Sequence, residues 1–135
     1  MNATLAVIGS VFALLAALVH LWIFFLESVR WTKPSTRRLF GIRDERDAEV
    51  LRPMAFNQGF YNLFLAIGAG VGVVLLLSGS SIEAGVAIAV FALASMMLAA
   101  VVLISSNPRM LRAALVQGVA PALGILFLVL ALTVA

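Results

Sequence analysis

A histidine and a glutamate, His20 and Glu27, interrupt the apolar first segment of this chain. They are seven positions apart, so a helix places them on the same face. Ionisable groups inside a bilayer span are costly, and they usually face a bundle interior or a water-filled cavity. An imidazole and a carboxyl group in one cavity can transfer protons, so both residues are candidate catalytic acid–base groups.

A second polar stripe opens the next apolar segment. Gln58, Tyr61 and Asn62 fall within roughly 100° of one another on a helix, and Asn57 lies beside them. Amides and a phenol in this position could orient the polar head of a lipophilic molecule. Together with an aromatic residue after the first segment and an amide in the last, they make up the candidate ligand-binding residues: Trp31, Asn57, Gln58, Tyr61, Asn62 and Gln117.

Each of these residues also has a purely structural interpretation. Glu27 could extend to the interface and pair with Arg30, and His20 could be a neutral imidazole hydrogen-bonded between helices. Asn and Gln in membrane helices often join helices rather than bind ligands. The functional interpretation is favoured because all of these groups crowd the same, cytoplasmic half of the predicted bundle. The helical rise places Glu27 about 5 Å inside that boundary and His20 about 10 Å deeper.

The sequence predicts neither a metal site nor a cofactor. It has one histidine and no cysteine, which excludes Cys-ligated metals, disulfides and thiolate catalysis. No glycine-rich phosphate loop, serine elbow or HExxH pattern is present.

Composition defines the elements that must position these residues. Hydrophobic residues make up 64% of the chain, charged residues 11%, and the mean hydropathy is +1.16. In soluble domains about a quarter of the residues are charged. The much lower charged fraction here predicts an integral membrane protein. Four apolar stretches near the roughly 20 residues needed to span a bilayer lie at about 4–28, 54–77, 83–105 and 112–134. Short connections between the later ones predict an all-α, antiparallel bundle of four transmembrane helices, forming a single membrane domain over 1–135.

The basic residues predict the orientation. Seven of the nine lie in the 29–53 loop, and the other two are Arg109 and Arg112. Basic loops stay cytoplasmic, so we expect both termini outside and the chain to be a multi-pass protein of the cell inner (plasma) membrane. The loop arginines are interleaved with acidic residues, and juxtamembrane basic groups are attracted to anionic headgroups. We therefore expect membrane lipids, and no nucleic acid, as partners.

Local signals refine the helix ends. Asp44 is placed to cap a short helix, Glu45–Leu51, in the loop, with disorder of the loop as the alternative. The second transmembrane helix is predicted to begin after Pro53, and its Gly68-x-x-x-Gly72 spacing allows a neighbouring helix to approach closely. This glycine face also makes self-association plausible. Pro121 is predicted to loosen or kink the last helix near Gln117.

With these residues in place, the chain resembles a bacterial and fungal family of small membrane proteins, domain of unknown function 1304 (DUF1304). The matching elements are "HLWIFFLESVRW" (His20–Trp31), "LFGI" (Leu39–Ile42) and "FNQGFYNLFLAIG" (Phe56–Gly68). One departure is Trp22, where the family usually has a tyrosine. The resemblance implies a four-helix inner-membrane protein and confers no activity. The matched polar residues are His20, Glu27, Asn57, Gln58, Tyr61 and Asn62.

Three functions compete at this point. The leading hypothesis is a membrane protein that binds or converts a lipophilic small molecule in a polar pocket facing the cytoplasm, with enzyme activity left open. The second is a small proton-coupled exporter, although the charge bias and the lack of a symmetrical repeat fit it poorly. The third is an accessory or structural subunit of a membrane complex. Besides membrane lipids, the partners that stay open are a lipophilic ligand, a second copy of the chain and a membrane-complex partner.

Overall fold

A computed structural model describes residues 1–134 of the chain. The described residues contain helices and no strand, which confirms the all-α class. The elements are α1 (Ala3–Phe24), a π-helical turn (Phe25–Val29), α2 (Pro34–Leu39), α3 (Glu45–Leu77), α4 (Ile82–Ser106), a 3-10 turn (Pro108–Met110) and α5 (Leu111–Thr133).

Four stretches of the described residues are long and apolar enough to cross a membrane: Ala3–Val29, Glu45–Leu77, Ile82–Ser106 and Pro108–Thr133. The predicted polytopic membrane protein is confirmed at this level, by length and composition. The side on which each terminus lies stays a prediction.

The chain divides into two compact units. Residues 1–19 and 65–134 form one, here called the bundle unit, and residues 20–64 form the other, here called the loop unit. Helices α1 and α3 each contribute residues to both units. The prediction of a single membrane domain stays a prediction.

In the bundle unit, α3 and α4 pack in antiparallel fashion through glycines. A Cβ added at Gly72 would lie 2.5 Å from the backbone nitrogen of Ala89. One added at Gly85 would lie 2.5 Å from the backbone nitrogen of Leu76. The two backbones are therefore in direct contact, as small residues permit in membrane helix pairs.

Helices α1 and α5 of the bundle unit also run antiparallel. The backbone nitrogen of Asn2 donates to the carbonyl of Ala131 at 2.8 Å, and the rings of Phe12 and Phe127 stack with centroids 5.7 Å apart. Gly124 lets α5 meet a second helix, because a Cβ there would lie 2.9 Å from Leu93 Cδ1 of α4.

The core of the bundle unit is built mainly from alanine. Ala13, Ala69 and Ala89 are fully buried, and Leu93, Met96 and Leu128 fill the remaining space. Large apolar side chains such as those of Leu18 and Phe91 are exposed instead. This inversion suits a lipid environment, where close packing of small residues, rather than exclusion of water, holds helices together.

In the loop unit, α3 begins at Glu45, well before the start predicted after Pro53. The capping role predicted for Asp44 is confirmed, because its Oδ1 accepts from the backbone N–H of Arg46 at 2.6 Å. Pro53 lies inside the helix, where its ring removes one backbone hydrogen bond without ending the helix. The segment predicted as a separate short helix is thus the first part of α3.

Two tertiary contacts hold this early part of α3. The indole Nε1–H of Trp31 donates to the carbonyl of Ala48 at 2.8 Å, and Trp31 is 7% exposed. Arg37 of α2 forms an ion pair with Glu45 at 3.8 Å. The loop predicted at 29–53 is therefore folded largely into α2 and the start of α3.

Candidate functional site

The candidate site lies in the loop unit, where α1 ends in the π-helical turn. The backbone N–H of Arg30 donates to the carbonyl of Phe25 at 2.9 Å, which is the wider π spacing. The hydroxyl of Ser28 donates to the carbonyl of Phe56 on α3 at 3.0 Å. Glu27 lies within this π turn at the end of α1.

Glu27 is paired with an amide of α3. Nδ2 of Asn62 donates to Oε2 of Glu27 at 3.0 Å and to the backbone carbonyl of Gln58 at 3.1 Å. Both partners of the amide nitrogen are acceptors, so this orientation of the Asn62 amide is the one that the hydrogen bonds require. The bond to Gln58 thereby aims the second N–H at the carboxyl group.

Gly59 makes this pairing possible. A Cβ at position 59 would collide with Oγ of Ser28, and it would lie 3.2 Å from both Cβ of Glu27 and the carbonyl oxygen of Phe24. The backbone of α3 therefore approaches the π turn more closely than any other residue type would allow. The sequence pattern did not identify Gly59 as a site residue, although its position between Asn57-Gln58 and Tyr61-Asn62 was the available signal.

His20 is also in the loop unit, and it is 1% exposed. His20 interacts with another group of the protein. In the described residues, every buried side-chain nitrogen or oxygen has a hydrogen-bond partner. The seven-residue spacing to Glu27 predicts a shared face for a regular α-helix. The π turn changes that relation, because it takes more residues per turn beyond Phe25.

The other candidates are placed differently. Glu27 and Asn62 are half-buried, whereas Asn57, Gln58 and Tyr61 are exposed on α3. Trp31 is buried, with its indole nitrogen already bound to Ala48. Gln117 is a half-buried residue of α5 in the bundle unit. The structure thus joins the side chains of two predicted residues, Glu27 and Asn62, by a hydrogen bond.

An aromatic ladder lies on the other flank of Gly59. The ring of Phe60 contacts those of Phe24, Phe56 and Phe64, with centroids 5.2, 5.0 and 6.2 Å apart. On α3, Phe60 points about 100° to one side of Gly59, and Asn62 about 60° to the other. This ladder was not predicted from the sequence, although the four-residue spacing of Phe56, Phe60 and Phe64 was the available signal.

The chemistry available here is hydrogen bonding by a half-buried carboxyl group held by an amide. Among the described residues, no group of three His, Asp or Glu side chains could hold a metal ion. The described surface has one groove lined by residues of α4 and α5 and another lined by residues between Gly41 and Leu51. Neither groove is lined by Glu27 or Asn62. Glu27 and Asn62 are each half-buried, so both side chains are partly accessible.

These features define a small, all-helical membrane protein with four helices long enough to span a bilayer. The chain belongs to the family described as "Protein of unknown function (DUF1304)", whose model matches residues 14–129. The resemblance carried by His20–Trp31, Leu39–Ile42 and Phe56–Gly68 is therefore confirmed. No curated protein and no solved structure shows significant similarity to this chain.

Proposed function

We propose that this protein binds a lipophilic small molecule in the plane of the membrane, and that Glu27 accepts a hydrogen bond from its polar head. The observation that carries the proposal is the 3.0 Å hydrogen bond from Asn62 to Glu27. It holds a carboxyl group at a fixed position in a segment apolar enough to span a bilayer. Such groups are rare in membrane helices and mark functional sites by default.

The chemistry of the pair favours a ligand that donates hydrogen bonds. A carboxyl group has more acceptor positions than one amide N–H can fill. Glu27 is only half-buried, so a further donor can approach its exposed part. An amine or a hydroxyl group on an apolar body meets both requirements.

Exposed polar residues extend the site along α3. Gln58 lies about 40° from Asn62 around the helix, and Tyr61 about 100°. Both are exposed, so they can contact a polar head that approaches the carboxyl group. We assign them the role of orienting the head, and we assign Glu27 the role of its principal acceptor.

The location of the site is part of the proposal. The many basic residues at 29–53 support a cytoplasmic position for this loop, which would place Glu27 near the inner leaflet of the plasma membrane. A ligand would then enter sideways from that leaflet.

The test uses a photoactivatable long-chain primary amine that carries a diazirine. We expect it to label the purified wild-type protein in detergent or nanodiscs, and Glu27→Gln to lower the affinity at least tenfold. A hydrogen bond to a charged group contributes about 1.5–3 kcal/mol, and 1.4 kcal/mol corresponds to a factor of ten. The matched control is Glu83→Gln, which removes an exposed carboxyl group at the start of α4 and should leave labelling unchanged.

Other outcomes distinguish the competing functions. Equal labelling of wild type, Glu27→Gln and Glu83→Gln would contradict the proposal. Proton-coupled flux of the amine in proteoliposomes, abolished by Glu27→Gln, would show transport. Unchanged amine binding together with loss of a co-purifying membrane protein would show an accessory subunit.

A further inference from the structure

A second feature lies in the bundle unit, away from the polar residues considered so far. A groove of about 230 Å³ runs between α4 and α5. Its lining is apolar throughout and includes Met97, Ala100 and Ile104 of α4 and Leu111, Leu115 and Ala122 of α5. All of these residues belong to stretches long and apolar enough to cross a membrane.

Small residues form the base of the groove, and larger side chains form its sides. Ala100 and Ala114 are buried, and a Cβ at Gly118 would lie 2.8 Å from Cβ of Ala100, so the helices touch there. Leu115 and Val119 are exposed and rise beside them. From Met97 to Ile104 the groove extends roughly 10 Å along α4. This shape fits a segment of an extended hydrocarbon chain.

Two arginines stand at one end of the groove. Arg109 lies in the 3-10 turn between α4 and α5, and Arg112 follows the lining residue Leu111. Both are exposed. The ion pairs among the described residues join Arg37 to Glu45 and Arg52 to Glu49, so neither of these two arginines has one.

The sequence also offers these arginines no acidic neighbour, because no Asp or Glu follows Glu83. An apolar groove that ends at two unpaired positive charges is complementary to a molecule with one acyl chain in the groove and an anion at its end. Guanidinium groups bind phosphate oxygens in a bidentate manner.

We propose that this groove binds an anionic phospholipid of the surrounding bilayer, with an acyl chain between α4 and α5 and the phosphate on Arg109 and Arg112. An acyl chain gains little by moving from lipid to an apolar groove, since both surroundings are apolar. Selectivity therefore comes from the arginine–phosphate contacts, and the groove fixes the position of the chain.

The test is native mass spectrometry of the purified protein titrated with phosphatidylglycerol or with phosphatidylcholine of the same acyl chains. We expect wild type to retain phosphatidylglycerol at least tenfold more strongly than phosphatidylcholine. Arg109→Gln/Arg112→Gln should remove that preference. Arg43→Gln/Arg46→Gln is the matched control, since it removes the same charge from two exposed arginines of the loop unit, and it should keep the preference.

The groove itself is tested by Ala122→Leu, which fills one end without changing the charge. We expect it to lower phosphatidylglycerol retention at least threefold. Should this variant fail to fold, Leu115→Ala, which removes an exposed wall, should lower retention in the same direction. The proposal is overturned if wild type does not discriminate between the two lipids, if the control pair of arginines lowers retention equally, or if the groove variants retain lipid like wild type.

Discussion

Replacing Gly72 or Gly85 with valine is expected to prevent stable packing of α3 against α4, whereas Gly70→Val should leave the fold intact. A Cβ at Gly72 would lie 2.5 Å from the nitrogen of Ala89. At Gly85 it would lie 2.5 Å from the nitrogen of Leu76 and 2.8 Å from the carbonyl oxygen of Gly72. These are backbone atoms, so no side-chain rotation can relieve the collision.

The magnitude follows from the cost of overpacking. Extra methylene groups in a packed core cost about 1–3 kcal/mol, and we expect valine at either site to exceed that range because two helix backbones must separate. The free energy of unfolding in detergent, with helix content and aggregation as additional measures, checks this. Gly70 is the control, because no atom lies within 4 Å of a Cβ there. Equal losses at all three positions would contradict the described register of α3 and α4.

The second large effect is expected at Gly59. Gly59→Ala should destabilise the protein by about 1–3 kcal/mol and weaken amine binding, because the new methyl group displaces the Ser28 hydroxyl from its bond to Phe56 and crowds Cβ of Glu27 at 3.2 Å. We expect this crowding to shift Glu27 relative to Asn62 and to weaken their hydrogen bond. The measurements are the free energy of unfolding and the affinity for the diazirine amine.

A second substitution makes the Gly59 prediction specific. Ser28→Ala removes the hydroxyl that blocks the methyl group, at a cost of about 1 kcal/mol for the lost bond to Phe56. We therefore expect Gly59→Ala/Ser28→Ala to be more stable than the sum of the two single losses. Strictly additive losses would mean that Ser28 and Gly59 are not in contact.

Hydropathy was sufficient to predict the fold class, because four long apolar stretches in a chain of this size leave few alternatives. It could not predict the start of α3. The segment from Glu45 to Pro53 is polar, and it is held as helix by the Asp44 cap together with the bonds of Trp31 and Arg37. The last two of these contacts are tertiary, so local sequence signals do not reveal them.

The glycine pattern was informative only in part. The Gly68-x-x-x-Gly72 spacing correctly predicted a close approach to a neighbouring helix, and Gly72 provides it. A Cβ at Gly68 would lie 3.6 Å from Cβ of Ala92, which is an ordinary contact. The residue that faces Gly72 across the helix pair is Ala89 of α4, and Gly85 of α4 in turn faces Leu76 of α3.

The candidate site was likewise predicted only in part. The sequence placed Glu27 and the amides of α3 near one end of the bundle, since depth follows from helical rise. It could not pair Glu27 with Asn62, because the pairing depends on the close approach at Gly59. The π turn was not predicted either, since no local signal in "FLESV" marks it.

The central claim is that Glu27 and Asn62 act as one unit that takes up a lipophilic hydrogen-bond donor. The most direct measurement is the affinity of the diazirine long-chain amine for wild type, Glu27→Gln, Asn62→Ala and the double variant. The account predicts that Glu27→Gln loses at least tenfold, that Asn62→Ala loses less, and that the double variant binds no worse than Glu27→Gln. Equal affinity of all four proteins for the amine would contradict it.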